Sequence, residues 1–129
     1  MSGRYLLDTN IVIATFSQDA AVAVSLSAAS EVFVPSIVIG ELYFGAYKST
    51  RVQDNLKRTT EFIAANTVLV CDSATAQFYG QIKNALKLKG RPIPENDMRI
   101  AAVGMQYDLI LASRDAHFSE INGLKLEAW

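Results

Sequence analysis

The feature that most constrains this chain is a regular alternation. Short apolar runs that are too brief for helices are separated by helix-length amphipathic segments. Arg4-Tyr5-Leu6-Leu7, Glu31-Val32-Phe33-Val34, Thr67-Val68-Leu69-Val70 and Leu109-Ile110-Leu111-Ala112 are the strand-like runs. Lys125-Leu126-Glu127 is a fifth, shorter one. Strands alternating with helices in this way predict an α/β fold with a short, mostly parallel central sheet flanked by helices. The intervening segments carry helix signals. Thr9 or Asn10 is positioned to cap a helix carrying Ile11, Val12 and Ile13, and Ala20 to Ala29 is alanine-rich. Pro35 stops the second strand and Ser36 caps a helix running to about Tyr47. Arg51 to Ala65 reads as helix, with Leu56, Phe62 and Ile63 on its inner face. Asp72 or Ser73 caps a long helix ended by Gly90, and Asn96 caps the next, Asp97 to about Tyr107. Trp129 is expected to cover an edge of the core.

Length and composition agree with this pattern. The chain has 129 residues, of which 50% are hydrophobic and 19% charged. That is enough for a core without disulfides and fits a single domain over 1–129. The lone Cys71 follows Val68-Leu69-Val70 and is expected to pack there as a small hydrophobe. No signal-peptide core precedes Asp8 and no apolar run is long enough to span a bilayer. A cytoplasmic protein with no membrane partner is the expectation. Formal net charge is −1, so the molecule as a whole is not a basic nucleic-acid binder. An anionic substrate needs a local basic patch or a metal ion.

Four carboxylates stand directly against apolar sequence, where an unpaired charge is costly. Asp8 ends the first strand, and Asp115 lies just past Leu111-Ala112-Ser113. In open parallel sheets, ligands bind beyond the carboxyl ends of the strands, so these two acids can meet on one edge. Asp97 sits in the first turn of its helix, with Ile100, Ala101 and Gly104 on the same face, and is expected to point inward. Glu41 lies among Ile37, Val38, Leu42 and Phe44, beside Gly40, and is expected to face a cleft where Gly40 permits close backbone approach. Each acid alone has an ordinary explanation as a cap, a turn or a surface residue. Together, like charges in one place require a cation. Hard oxygen donors with no His/Cys partner select Mg²⁺, with Mn²⁺ as substitute, over Zn²⁺. Such a site suits phosphodiester hydrolysis. The chain has one histidine and one cysteine, so no Ser/His/Asp or Cys/His arrangement competes, and no glycine-rich phosphate loop is present.

Leu7-Asp8-Thr9-Asn10, Gly40-Glu41-Leu42, Asn96-Asp97-Met98-Arg99-Ile100-Ala101-Ala102 and Ser113-Arg114-Asp115-Ala116-His117-Phe118 resemble, in order and spacing, the motifs of PIN domains. The ending Ile121 to Trp129 resembles the tail of VapC-type toxins. The resemblance covers essentially the whole chain and implies a PIN-like three-layer fold. It also implies an endoribonuclease dependent on Mg²⁺ or Mn²⁺, with Asp8, Glu41, Asp97 and Asp115 matching the family's acidic quartet as catalytic and metal-binding residues. The family varies at the fourth position, where some members carry Asn. Ser113 matches a small hydroxyl position that can hold a metal-bound water or phosphate. VapC-like members are usually homodimers, toxins of type II toxin–antitoxin systems neutralised by a DNA-binding VapB-like antitoxin, so that DNA is reached only through that partner. Their RNA substrates are often tRNA or rRNA.

Other features have an ordinary reading beside a functional one. Lys83, Lys87, Lys89 and Arg91 read as a solvated helix face, with an RNA-gripping rim as the alternative. Arg99 and Arg114 flank the acids and can touch phosphate or pair with a carboxylate. His117 reads as structural. Tyr43, Phe44 and Tyr47 read as core or dimer contact, with base stacking as the alternative. An aspartyl-nucleophile phosphatase is disfavoured because Asn10 stands where its second Asp belongs. A non-catalytic PIN-like binding module and a stand-alone RNA-processing nuclease are the remaining alternatives.

Overall fold

The computed structural model describes residues 3–129. Five strands, β1 (Arg4–Leu7), β2 (Glu31–Pro35), β3 (Thr67–Leu69), β4 (Ile110–Ala112) and β5 (Leu126–Glu127), form one sheet. Their order is β3-β2-β1-β4-β5, and every pairing is parallel. β1 pairs with β2 through Tyr5 and Val32 and with β4 through Leu7 and Ala112. The chain thus builds outward from β1 to β3, then returns to β1 and builds the other way. Parallel neighbours cannot be joined by tight hairpins, so the connections between them run through the helices that flank the sheet. The switch point lies between β1 and β4, where an open parallel sheet offers a crevice at its carboxyl edge.

Six helices flank the sheet: α1 (Thr9–Phe16), α2 (Ala20–Ala28), α3 (Ser36–Lys48), α4 (Val52–Ala65), α5 (Ser73–Lys89) and α6 (Glu95–Gln106). A 3-10 turn covers Ala116–Glu120. Their ends follow local chemistry. Asp19 caps α2 by accepting the Val22 N–H. Asp72 and Thr75 cap α5 reciprocally, and Gly90 ends it with φ of +70°, a conformation suited to glycine.

Several boundaries differ from expectation. The cap of α1 is Asp8, which bears out the ordinary reading of that acid as a cap and replaces Thr9 or Asn10: its side chain accepts the Thr9 N–H at 2.8 Å. Asn10 instead accepts the Arg114 N–H. Helix α6 begins at Glu95 behind Pro94, so Asn96 lies inside the first turn rather than capping it. Pro35 closes β2 from within, and Ser36 is the first residue of α3, which has no side-chain cap.

The core gathers Leu6, Leu7, Ile11, Val12, Val34, Val38, Leu111 and Phe118, all fully buried. In α6 the run Ile100 to Gly104 is buried without a gap, so this helix packs on nearly every side. Trp129 packs on Tyr5 with ring centroids 4.8 Å apart, closing the core edge as expected. Cys71 does not pack; it is exposed. The reason is strand order: β3 is an edge strand with one neighbour, so the apolar run before Cys71 is only partly covered and Val70 is exposed. On α4 the deeply buried residue is Thr59, while Leu56, Phe62 and Ile63 are half-buried. Phe44 and Tyr47 are exposed, so their helix face is not core. No atom of another segment comes within 4 Å of the place where a Cβ would stand on Gly40, so no backbone approaches there. No single helix among the described residues is long and apolar enough to cross a membrane.

Candidate active site

The site forms where β1 and β4 end side by side. The Asp8 N–H donates to the carbonyl of Ala112, the last residue of β4, extending the ladder one residue past β1. This sets Asp8 beside Ser113, and the Ser113 hydroxyl donates to Asp8 Oδ2 at 2.6 Å. The same hydroxyl oxygen accepts the Asp115 N–H at 3.0 Å, which shapes the loop carrying that acid. Ser113 is buried and therefore spends its hydrogen-bonding capacity on two of the predicted acids.

On the other side of Asp8, the Thr9 hydroxyl donates to Glu41 Oε1 at 2.7 Å. Glu41 reaches this point from α3, half-buried on the face that turns toward α1. A continuous chain of contacts, Asp115–Ser113–Asp8–Thr9–Glu41, thus joins three of the four predicted acids.

Asp97 enters from the first turn of α6. Its Oδ2 lies 2.5 Å from His117 Nε2, on the 3-10 turn after Asp115. Asp97, Asp115 and His117 each offer a ligand atom, and these atoms lie within 4.8 Å of one another. Asp8 and Glu41 stand outside that tightest group. The charge of Asp8 is nevertheless felt together with those of Asp97 and Asp115.

Electrostatics records the crowding. Burial, as the main cause, pushes the Asp8 carboxyl up to about 6. The hydrogen bonds from Ser113 and Thr9 oppose that shift, while the charges of Asp97 and Asp115 add to it. Asp97 is also raised, chiefly by burial and further by Asp115, with His117 pulling it back. Three carboxylates converging with a single imidazole among them form a site that lacks positive charge. A divalent cation would supply it, and the donors are mostly hard oxygens.

His117 is the residue that sequence reasoning set aside. Its signal was spacing: Asp115-Ala116-His117 puts an imidazole two positions from an acid on one tight loop. The basic residues are largely committed elsewhere. Lys83 pairs with Glu95 at 2.7 Å, Lys89 with Glu120 at 3.5 Å, and Arg114 with Asp19 at 2.9 Å. Arg114 also donates to the Trp129 carbonyl, and Arg99 stacks over the Tyr79 ring. These contacts favour the ordinary reading of Lys83, Lys89 and Arg114.

The chain matches the PIN domain over residues 5–124. It is 35% identical over 129 residues to ribonuclease VapC2 of Haemophilus influenzae, covering 98% of both chains. It is 32% identical over 129 residues to the tRNA(fMet)-specific endonuclease VapC of Shigella flexneri, again covering 98% of both. Among solved structures it resembles the DNA-bound VapBC of Salmonella typhimurium, with a TM-score of 0.90 and 29% identity, covering 100% of this chain and 99% of that one. It also resembles VapBC2 of Rickettsia felis bound to a promoter DNA fragment, with a TM-score of 0.89 and 26% identity, covering 97% of this chain and 98% of that one. With its parallel sheet order, its acids at the β1/β4 edge and its likeness along the full chain, this protein belongs to the PIN domain family and, within it, to the VapC ribonucleases.

Proposed function

We propose that this chain is an Mg²⁺-dependent endoribonuclease, with Mn²⁺ as substitute, acting as the toxin of a VapBC-type toxin–antitoxin pair. Asp8, Glu41, Asp97 and Asp115 are its metal-binding and catalytic acids, carried by the single PIN domain that occupies 1–129. The observation that supports this most is the convergence of Asp8, Asp97 and Asp115 on one sheet edge with too little positive charge between them. The donor set fits a hard divalent ion, since its members are carboxylates with one imidazole at the rim. When bound, such an ion neutralises phosphate charge and lowers the pKa of a coordinated water.

The chain's own residues set that site up. Ser113 holds Asp8 and the Asp115 loop together from below. Thr9 aims Glu41 toward Asp8 while its N–H fixes the other Asp8 oxygen. His117 fixes the rotamer of Asp97. The relatives named as ribonucleases and as a tRNA-specific endonuclease support RNA as substrate, tRNA or rRNA being the class to test first. The VapBC complexes among the neighbours support a VapB-like antitoxin as partner, with DNA engaged only through it. A homodimer acting in the cytoplasm completes the proposal.

The test is cleavage of total RNA and of purified tRNA with Mg²⁺, with EDTA, and with Asp8→Asn or Asp97→Asn. Mg²⁺-dependent cutting is expected, reduced roughly a hundredfold or more by either substitution. Cutting that survives chelation overturns the metal reading. A folded protein that binds Mg²⁺ and cuts no RNA is a binding module instead.

A further inference from the structure

The exposed face of α3 beside the acids carries an arrangement that the reaction above does not use. Glu41, Phe44 and Lys48 follow one another at three and four positions, so they share one face of the helix. The sequence along that face is acid, aromatic ring, cation, within about 10 Å of helix length. Phe44 is 63% exposed, and no aromatic partner from the rest of the fold pairs with it among the described residues. Lys48 Nζ stands 4.7 Å from the centroid of the Phe44 ring. Lys48 has no carboxylate within ion-pair distance among the described residues.

The ring lines a groove that it shares with Thr9, Ile13, Ile37, Glu41, Lys48 and Asn96. Thr9 and Glu41 already belong to the acid site, so groove and site are continuous. Gly40 and Gly45 are exposed, and nothing from another segment lies within 4 Å of where their Cβ atoms would stand. Space beside the ring is therefore open. Ile13 and Ile37 give the groove an apolar floor beside the ring, while Glu41 stands at one end of the Phe44 face and the carboxylate-free Lys48 at the other. Ring and cation match a nucleotide, with a planar base for the ring and a phosphate for the unpaired ammonium.

We infer that Phe44 is a base-stacking platform and Lys48 its phosphate contact, together binding a nucleotide of single-stranded RNA next to the phosphodiester held at the acids. The inference rests on RNA being the substrate. Stacking on an aromatic face is tolerant of base identity. The ring therefore positions the strand, and recognition of sequence is left to other contacts.

The experiment measures binding rather than turnover, using the full-length chain with Asp97→Asn so that RNA stays intact. Two fluorescein-labelled 12-nucleotide probes are compared by anisotropy: a mixed-sequence RNA and a fully abasic ribose-phosphate strand. Phe44→Leu is expected to weaken RNA binding roughly tenfold and leave the abasic strand unchanged, while Phe44→Tyr retains wild-type affinity. Lys48→Gln is expected to weaken both probes and to lower the salt slope by about 0.7. Equal RNA affinity with and without Phe44→Leu overturns the inference. So does an equal loss on both probes. If Phe44→Leu leaves RNA binding intact and weakens only association with a protein partner, the face is a protein contact and the inference fails. Should Phe44→Leu misfold, the wild-type ring is read by the fluorescence of a 2-aminopurine RNA probe, excited beyond the absorption of Trp129. Quenching absent at saturating protein, or lost on Phe44→Tyr, counts against stacking. A chain that cuts no RNA yet shows the probe difference retains the nucleotide site while the ribonuclease reading falls.

Discussion

Ser113 donates its hydroxyl proton to Asp8 across 105 positions of sequence, at 2.6 Å, and so ties the end of β4 to the end of β1. It is a buried hydrogen bond to a carboxylate, the kind whose loss is felt most. Ser113→Ala is expected to destabilise the metal-free protein by about 1–3 kcal/mol at pH 7.5. The loss shrinks near pH 4, where Asp8 is neutral. Because Ser113 pulls the Asp8 carboxyl down, the substitution drives it further above about 6. Urea unfolding at the two pH values and a carboxyl-carbon NMR titration of Asp8 measure both effects; an unchanged titration refutes the link.

The raised Asp8 carboxyl sets an unusual pH dependence. Its folded-state value of about 6 lies above its ordinary 3.8, so between the two the native state binds more protons than the unfolded chain. The contribution of this group is fully present below 3.8 and is lost as pH rises through about 6. The amount is on the order of 3 kcal/mol. Asp8→Asn keeps the geometry, since Ser113 can turn its hydroxyl to accept from the amide, and removes the charge. Without metal, Asp8→Asn is expected to be more stable than the parent at pH 7.5 and equal to it near pH 4. Saturating Mg²⁺ is expected to erase the difference by stabilising the parent. Thermal melts across pH 4 to 8, with and without metal, check the prediction; a parent more stable than Asp8→Asn at pH 7.5 in EDTA contradicts it.

His117 holds the Asp97 carboxyl below the level that burial alone would set. His117→Ala is therefore expected to raise Asp97 further and to move the onset of Mn²⁺ binding to higher pH. The shift is read by calorimetric titration at several pH values. An unshifted onset means that His117 only packs.

Thr9 aims Glu41 through a side-chain hydrogen bond at 2.7 Å. Thr9→Val keeps the shape and removes the donor. Its backbone N–H still caps α1 by donating to Asp8, so stability should change little. Cleavage is expected to fall about tenfold, with the loss in kcat rather than KM, because Glu41 is no longer held in place. Steady-state kinetics on an RNA that the parent cuts decide it; equal kcat removes Thr9 from the site.

Much of this architecture was legible in the linear chain because strand and helix signals are local. The apolar runs at Tyr5–Leu7 and Leu111–Ala112 mark strands, and the acids just past them mark strand ends. Ile100, Ala101 and Gly104 placed Asp97 on a buried face, as observed. Errors arose where the outcome depended on a distant neighbour. Cys71 is exposed because β3 lies at the sheet edge, a fact of strand order. Asn10 does not cap α1 because its side chain accepts the Arg114 N–H, 104 positions away.

Sequence alone determined the element types, the parallel α/β class and the residue types available to the site, because hydrophobic period, caps and charge are written within a few residues of each other. Tertiary structure decided which strand stands beside β1, that Ser113 and Thr9 hold the acids, that His117 faces Asp97, and that Phe44 stays in solvent. Those outcomes depend on contacts between residues as far as 105 positions apart, and their geometry exists only once the whole sheet has chosen its order and register.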